Sequence, residues 1–353
     1  MKRFLLFTLE FPPFFGGVAI YYANFVKYFD RGKIFILDNN KNEIINYNFV
    51  FLKWFYGLIN LFKYIKEKKI DHVFVGHILP LGTITWFWSF FLDIDYSVFL
   101  HGMDFEFCKK YFRKKILAKL VLKRAKKIIC VNSYIEKQVL NFLGEKYKEK
   151  IILKNPKIEK PNISDNKLIS LKKEIFKKYN LKDKLVLFSV GRLVKRKGFD
   201  QVMKSIKNLN NRYDNLVYFL LGEGSDEKYL KNLKDELNLK DQQIIFLGRM
   251  SHDIKYVFFS LADIFLTPSR SIDGDIEGFG IVYLEANYFS CPVIAGNSGG
   301  VRDAVRDAYN GFVVDGNNLS ELENKMKLLI QDENLRKRMG KQGRDRVLEK
   351  FLY

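Results

Sequence analysis

Glu277-Gly278-Phe279-Gly280-Ile281-Val282-Tyr283-Leu284-Glu285-Ala286 follows a short apolar run at 264–267 and the loop Pro268-Ser269-Arg270. A strand, a glycine-bearing loop and a helix in that order belong to an α/β domain, where ligands meet the carboxyl ends of the strands. Gly278 and Gly280 let a ligand approach the backbone closely. A helix is expected to begin just after them, and its N-terminus, with free N–H groups and a positive dipole end, suits a diphosphate. Glu285 then falls in the following turns, where a carboxylate can accept both ribose hydroxyls. Glu277, ahead of the helix, is placed to accept from a sugar hydroxyl. On spacing alone, the stretch also reads as a glycine-rich loop with two surface glutamates.

The same strand-and-helix rhythm runs outward in both directions. Apolar runs of strand length lie at 4–8, 34–37, 72–75, 97–100, 127–131 and 151–153, and again at 185–190, 217–221, 244–247, 264–267, 292–295 and 311–314. Continuous apolar strands alternating with helices predict parallel sheets covered on both faces. Two series predict two doubly wound domains, which fits a chain of 353 residues. The polar segment from Asn155-Pro156 to Asn162 marks the join. We expect domains at 1–156 and 157–340, a short amphipathic helix at about 168–179, and a C-terminal helix at 341–353 directed toward the first domain. The natural site is the cleft between the domains.

Four further stretches follow predicted strands. Gly191-Arg192-Leu193-Val194-Lys195-Arg196-Lys197-Gly198 supplies Arg192 and Lys197 to neutralise a diphosphate. His101-Gly102-Met103-Asp104 places a histidine at a strand end. Pro12-Pro13-Phe14-Phe15-Gly16-Gly17-Val18 puts two glycines ahead of a helix, and Ser298-Gly299-Gly300 opens another. His72 and His77 are assigned to structure and His252 to a loop. Asp273-Gly274-Asp275 has a DxD form but reads better as a polar loop. No P-loop, HExxH or clustered CxxC is present, so neither a metal nor another cofactor is expected.

Composition narrows the setting. Cys108, Cys130 and Cys291 are scattered, which excludes a disulfide framework and fits a reducing compartment. The N-terminus reads as a first buried strand, not a signal peptide. The apolar stretch at 72–92 approaches the length of a membrane span, about 20 residues. Pro80 and Gly82 interrupt it, so a strand, a loop and a buried helix at about 83–91 are expected instead. The net charge is +20, which favours anionic partners. From Lys109 to Lys127 there are ten Lys or Arg residues and no acid, interleaved with Ile116, Leu117, Leu120 and Val121. That pattern reads as a docking face for an anionic membrane surface or as a solvated surface helix. No nucleic-acid-binding module accompanies the charge.

Taken together, these motifs resemble the retaining GT-B glycosyltransferases of family GT4. Gly16-Gly17, His101-Gly102-Met103-Asp104, Asn132-Ser133, Gly191-Arg192-Leu193 with Lys197-Gly198, Gly222-Glu223-Gly224, Phe246-Leu247-Gly248, Pro268-Ser269 and the Glu277/Glu285 pair occur in the family's order. The resemblance covers nearly the whole chain. It implies an α/β GT-B fold of two Rossmann-like domains, with the nucleotide sugar held mainly by the second. It implies that Arg192 and Lys197 hold the diphosphate, Glu285 the ribose, and Glu277 with the backbone of Gly278, Phe279, Gly280 and Ile281 the sugar and phosphates. Gly191 belongs to the same donor site, His101 would reach the donor sugar, Gly16 and Gly17 would approach the diphosphate when the domains close, and Asp104 lies on the acceptor side. The segment at 273–282 looks most like GDP-mannose-using members similar to phosphatidylinositol mannosyltransferases. The expected reaction moves a hexose, mannose from GDP-mannose, to a glycan or lipid-linked acceptor at the cytoplasmic face of the cell membrane. A UDP-sugar donor and a non-catalytic nucleotide-binding protein are the alternatives. The junction reads Lys154-Asn155-Pro156-Lys157 where the family has Pro-Asn-Gly, and no nucleotide role is carried over to it.

Overall fold

A computed structural model describes residues 2–14, 16–45 and 53–353; Phe15 lies outside them. The chain divides into two compact units, Met1–Pro156 and Lys157–Tyr353. Each of the twelve apolar runs forms a strand within two residues of its expected ends.

In the first unit the strands are β1 (Phe4–Phe7), β2 (Ile34–Leu37), β3 (His72–Val75), β4 (Asp95–Leu100), β5 (Lys127–Cys130) and β6 (Ile151–Leu153). They pair in parallel in the order β2-β1-β3-β4-β5-β6. Leu6, Phe99 and Ile129 from the sheet pack against Tyr21, Tyr22 and Phe25 of the helix Gly17–Val26. Their rings meet mostly edge to face, the arrangement that the aromatic quadrupole favours.

The second unit contains β7 (Leu185–Val190), β8 (Leu216–Leu221), β9 (Ile244–Gly248), β10 (Ile264–Thr267), β11 (Val293–Gly296) and β12 (Gly311–Val314). The order is β12-β11-β10-β7-β8-β9, again parallel. Every residue of β7, β8, β10, β11 and β12 is buried, as a sheet covered on both faces requires. In the helix Phe199–Leu209, Phe199, Val202, Met203, Ile206 and Leu209 are buried at spacings of three and four, which lays one stripe on the sheet.

In both sheets the chain first builds outward in one direction, then returns to add strands on the other side. The reversal falls between β1 and β3 in the first sheet and between β7 and β10 in the second. Such switch points open a crevice at the strands' carboxyl ends.

Four expectations need correction. The helix expected at 83–91 forms at Leu81–Trp88. It is not wholly buried: Phe87, Phe90 and Phe91 at and beyond its end are exposed, Phe91 by 67%. The last helix starts earlier, at Glu333, and runs to Lys350. Residues 341–353 belong to the second unit, where Phe351 O accepts from Ile158 N at 2.8 Å. The basic stretch is split between the helices Met103–Lys110 and Phe112–Arg124. Ile116 and Leu120 face solvent there, while Ala118, Val121 and Leu122 form the buried stripe. His252 opens the helix His252–Leu261 instead of lying in a loop, with Ser251 Oγ capping Ile254 N.

Candidate active site

The second unit gathers charge at its switch point. After β7 the chain turns at Gly191, passes Arg192 and enters a short 3-10 turn at Lys195–Lys197 before the helix Phe199–Leu209. That turn buries Arg196 and Lys197, whereas Arg192 is exposed. After β10, the loop through Ser269 and Arg270 leads to Glu277, which is also buried. Glu277 Oε2 accepts from Lys197 Nζ at 2.6 Å, from Arg196 Nη1 at 2.7 Å and from Ser269 Oγ at 3.2 Å. Asp275 Oδ1 lies 3.0 Å from Arg196 Nε. This ties the Asp273-Gly274-Asp275 loop to the site through Arg196.

Burial alone would raise the Glu277 pKa. The charges and hydrogen bonds of Lys197 and Arg196 outweigh that and bring it down to about 2. Glu277 is therefore ionised at any physiological pH.

The backbone around Glu277 is fixed from β11. Its N–H donates to Ser298 Oγ at 3.1 Å, and its carbonyl accepts from Gly300 N at 3.1 Å. Gly299 has φ +56°, and a Cβ there would lie 2.1 Å from the Glu277 carbonyl, so only glycine fits. Gly280 caps the helix Ile281–Tyr288 at φ +80°. Phe279 points into the core, 6.0 Å from the Phe351 ring, which leaves its backbone as the part able to meet a ligand. Glu285, on the same helix, holds Lys255 Nζ at 2.6 Å. A ribose reaching Glu285 would share it with Lys255. Arg270 and Asp200 form a separate buried pair at 2.9 and 3.0 Å.

In the first unit His101 follows β4. Its Nε2 is 2.7 Å from the Tyr22 hydroxyl, which donates to the Gly76 carbonyl at 2.7 Å. With the Tyr22 proton directed at the Gly76 carbonyl, the His101 tautomer that completes the pair carries Nε2–H and donates to the Tyr22 oxygen. Burial, with a smaller push from His77, lowers the His101 pKa to about 3, so the ring is neutral. Asp104 Oδ1 accepts from His101 N at 3.1 Å and Gly102 N at 3.0 Å. Burial raises the Asp104 pKa against the pull of His77 and these N–H groups. Gly16 and Gly17 lie at the start of the helix Gly17–Val26. Glu10 Oε2 sits 3.5 Å from the position of a Cβ on Gly16.

The structure thus brings Lys197 and Glu277 together and adds Arg196, which the sequence reading passed over. Lys195-Arg196-Lys197 offers three cations in a row, and only the 3-10 turn decides which are buried. His101 and Asp104 are joined through the loop they share.

Comparisons with known proteins bear on the family of the chain. The family model described as Glycosyl transferases group 1 matches residues 172–346. An uncharacterised glycosyltransferase of Methanocaldococcus jannaschii is 31% identical over 349 residues, 94% of this chain and 90% of that protein. The GDP-mannose-dependent alpha-(1-6)-phosphatidylinositol monomannoside mannosyltransferase of Mycobacterium tuberculosis H37Rv is 33% identical over 182 residues, 51% of this chain and 47% of that protein. The match therefore takes in less than half of the mannosyltransferase. Among solved structures, Anabaena HepE in complex with UDP superposes with a TM-score of 0.79 at 16% identity, over 99% of this chain and 96% of that one. That likeness is one of fold alone.

Proposed function

Because the chain belongs to the group 1 glycosyltransferases, of GT4 type and GT-B fold, we propose that it transfers a hexose from a nucleotide sugar to a glycan or lipid-linked acceptor, with retention of configuration. The observation that carries this reading is the buried Arg196–Lys197–Glu277 cluster at the switch point between β7 and β10. Two cations held at a strand end are suited to a leaving diphosphate. They serve in place of a divalent metal, and Arg192 extends the set from the exposed loop beside them. Glu277, kept anionic, accepts from hydroxyls of the transferred sugar. Glu285 takes the ribose.

The donor we favour is GDP-mannose. Its support is the likeness of residues 273–282 to GDP-mannose-using members, together with the mycobacterial relative. A thermal-shift panel of GDP, UDP, ADP and their sugars ranks the donors, because stabilisation follows affinity for the folded state. GDP and GDP-mannose are expected to lead. Glu285→Ala is expected to weaken nucleotide binding roughly 10- to 100-fold, the cost of losing hydrogen bonds to a charged acceptor. Unchanged stabilisation by every nucleotide in that variant would remove Glu285 from the ribose site.

We also propose that the transfer takes place at an anionic lipid surface on the cytoplasmic side. The helix Phe112–Arg124 sets Arg113, Lys115, Lys119 and Arg124 beside exposed Phe112, Ile116 and Leu120, with Phe112 78% exposed. Cations flanking exposed apolar side chains favour the headgroup region of such a membrane. Among the described residues, no helix is long and apolar enough to cross a membrane. Vesicles with phosphatidylglycerol should pull the protein down in a salt-sensitive way, and exchanging Lys115 and Lys119 for Glu should abolish this. Equal binding to pure phosphatidylcholine would refute the idea.

A further inference from the structure

We propose that Asp275 is an internal stand-in for the donor diphosphate: its carboxylate occupies Arg196 in the nucleotide-free protein, yields that place to the diphosphate, and takes it back as the nucleoside diphosphate leaves. The inference rests on the reading that puts a diphosphate at Arg196 and Lys197, and adds to it the residue that limits how tightly the product is held.

Arg196 faces two carboxylates and holds them unequally. Glu277 Oε2 accepts from Nη1 at 2.7 Å. Asp275 Oδ1 lies 3.0 Å from Nε, yet both atoms are buried and neither has a hydrogen-bond partner. The two are close but misaligned, so charge alone holds them. The neighbouring Arg270 shows the other arrangement, with Nη2 donating to both oxygens of Asp200 at 2.9 and 3.0 Å. A buried donor left without a partner is costly. A phosphate oxygen in line with Arg196 Nε relieves that donor. The Asp275 side chain, 38% exposed, then turns its carboxylate to water.

The backbone presents Asp275 at this spot. Asp275 N donates to Ile272 O at 2.8 Å, and Ile272 N donates to Asp275 O at 3.1 Å. They close a two-residue turn with Asp273 at φ +51° and Gly274 at φ +86°. Positive φ at both central positions is the geometry for which Asp-Gly is favoured. Ile276, next in the chain, is buried and anchors the turn. Asp275 can therefore release Arg196 by rotating its side chain, with the turn intact. The sequence reading took Asp273-Gly274-Asp275 for a polar loop, and the structure gives its second carboxylate a partner.

Charge gives the arrangement its sense. Arg196 and Lys197 are matched by Glu277 and Asp275, so the nucleotide-free cluster is neutral. Burial works against the charge on Arg196, and Glu277, then Asp275, outweigh it. An arriving diphosphate takes over the part of Asp275 and repels it. Once the diphosphate departs, the carboxylate closes on Arg196 again. Without Asp275 the cluster is a net cation with Nε open, and it retains the product.

Calorimetric titration of the full chain with inorganic pyrophosphate, GDP and UDP tests this. The parent is compared with Asp275→Asn, Asp275→Ser and Asp273→Asn. Asp273 is exposed on the same turn, so its substitution removes the same charge away from Arg196. Each diphosphate that binds the parent should bind both Asp275 variants roughly five- to tenfold more tightly, the scale of one partly buried like-charge contact. Asp273→Asn should stay within twofold of the parent. Stopped-flow release of the nucleoside diphosphate should slow by the same factor in the Asp275 variants, a change that a purely structural role for the turn does not produce. Unchanged or weaker binding in the Asp275 variants overturns the proposal and leaves the donor reading standing. Equal tightening in Asp273→Asn also overturns it, because overall charge then accounts for the effect. A parent that binds no diphosphate overturns the donor reading, and this proposal falls with it.

Discussion

Lys197→Met is expected to lower the rate of transfer from a nucleotide sugar by roughly two to three orders of magnitude, the range seen when one preorganised donor at a transition state is removed. Lys197 is the shortest contact of Glu277, at 2.6 Å. In the proposed reaction its ammonium is the compact charge that stabilises the departing diphosphate. The fold should survive, because Arg196 still neutralises Glu277 at 2.7 Å. Acid stability should shift in a defined direction. Glu277 has a depressed pKa, so its contribution is complete above the ordinary carboxylate range and is lost as pH falls toward about 2. Without Lys197, less opposes the effect of burial, so the folded-state pKa rises, the loss ends at higher pH and the acid-dependent part of the stability shrinks. Single-turnover rates and acid melts of the two proteins test both points. A rate within threefold of the parent would show that Lys197 does not act on the leaving group.

The largest stability change is expected from Arg270→Leu. Arg270 is 7% exposed, and its Nη2 donates to both oxygens of Asp200, which is 6% exposed. Removing one partner of a buried pair strands the other charge, at a cost of about 3–5 kcal/mol. Arg270 N also donates to Arg196 O at 2.8 Å, so the pair ties the loop after β10 to the turn that carries Lys197. Urea unfolding measures the effect. Adding Asp200→Asn to Arg270→Leu should recover part of the loss, since no buried charge is then left alone. A change below about 1 kcal/mol, or no recovery in the double variant, would contradict a pairing of this kind.

The strands were legible because parallel sheets need continuous apolar runs, and polar or turn residues fall between successive runs. The last helix was misjudged because Glu333–Lys350 has little apolar signature. It packs through small residues. A Cβ on Gly340 would lie 1.9 Å from the Ser290 carbonyl, a contact that leaves no hydrophobic pattern to read. Glu277, Lys197 and His101 could be located because each lies in the loop that follows a strand's carboxyl end. Arg196 was not, since its burial depends on the register of one 3-10 turn.

The reversal in the second sheet also bears on how the protein is made. β10 fills the place beside β7, yet it is synthesised after β8 and β9. Until it arrives, β7 is an open edge whose six residues are all destined for the interior. An apolar edge of that kind invites pairing with other chains. Lys197 and Arg196 meanwhile wait for Glu277, 80 and 81 residues further on. A nascent chain that stalls short of β10 therefore has neither its central strand nor the carboxylate that neutralises its buried cations. The interval between residues 197 and 277 is the one in which a chaperone would have most to protect.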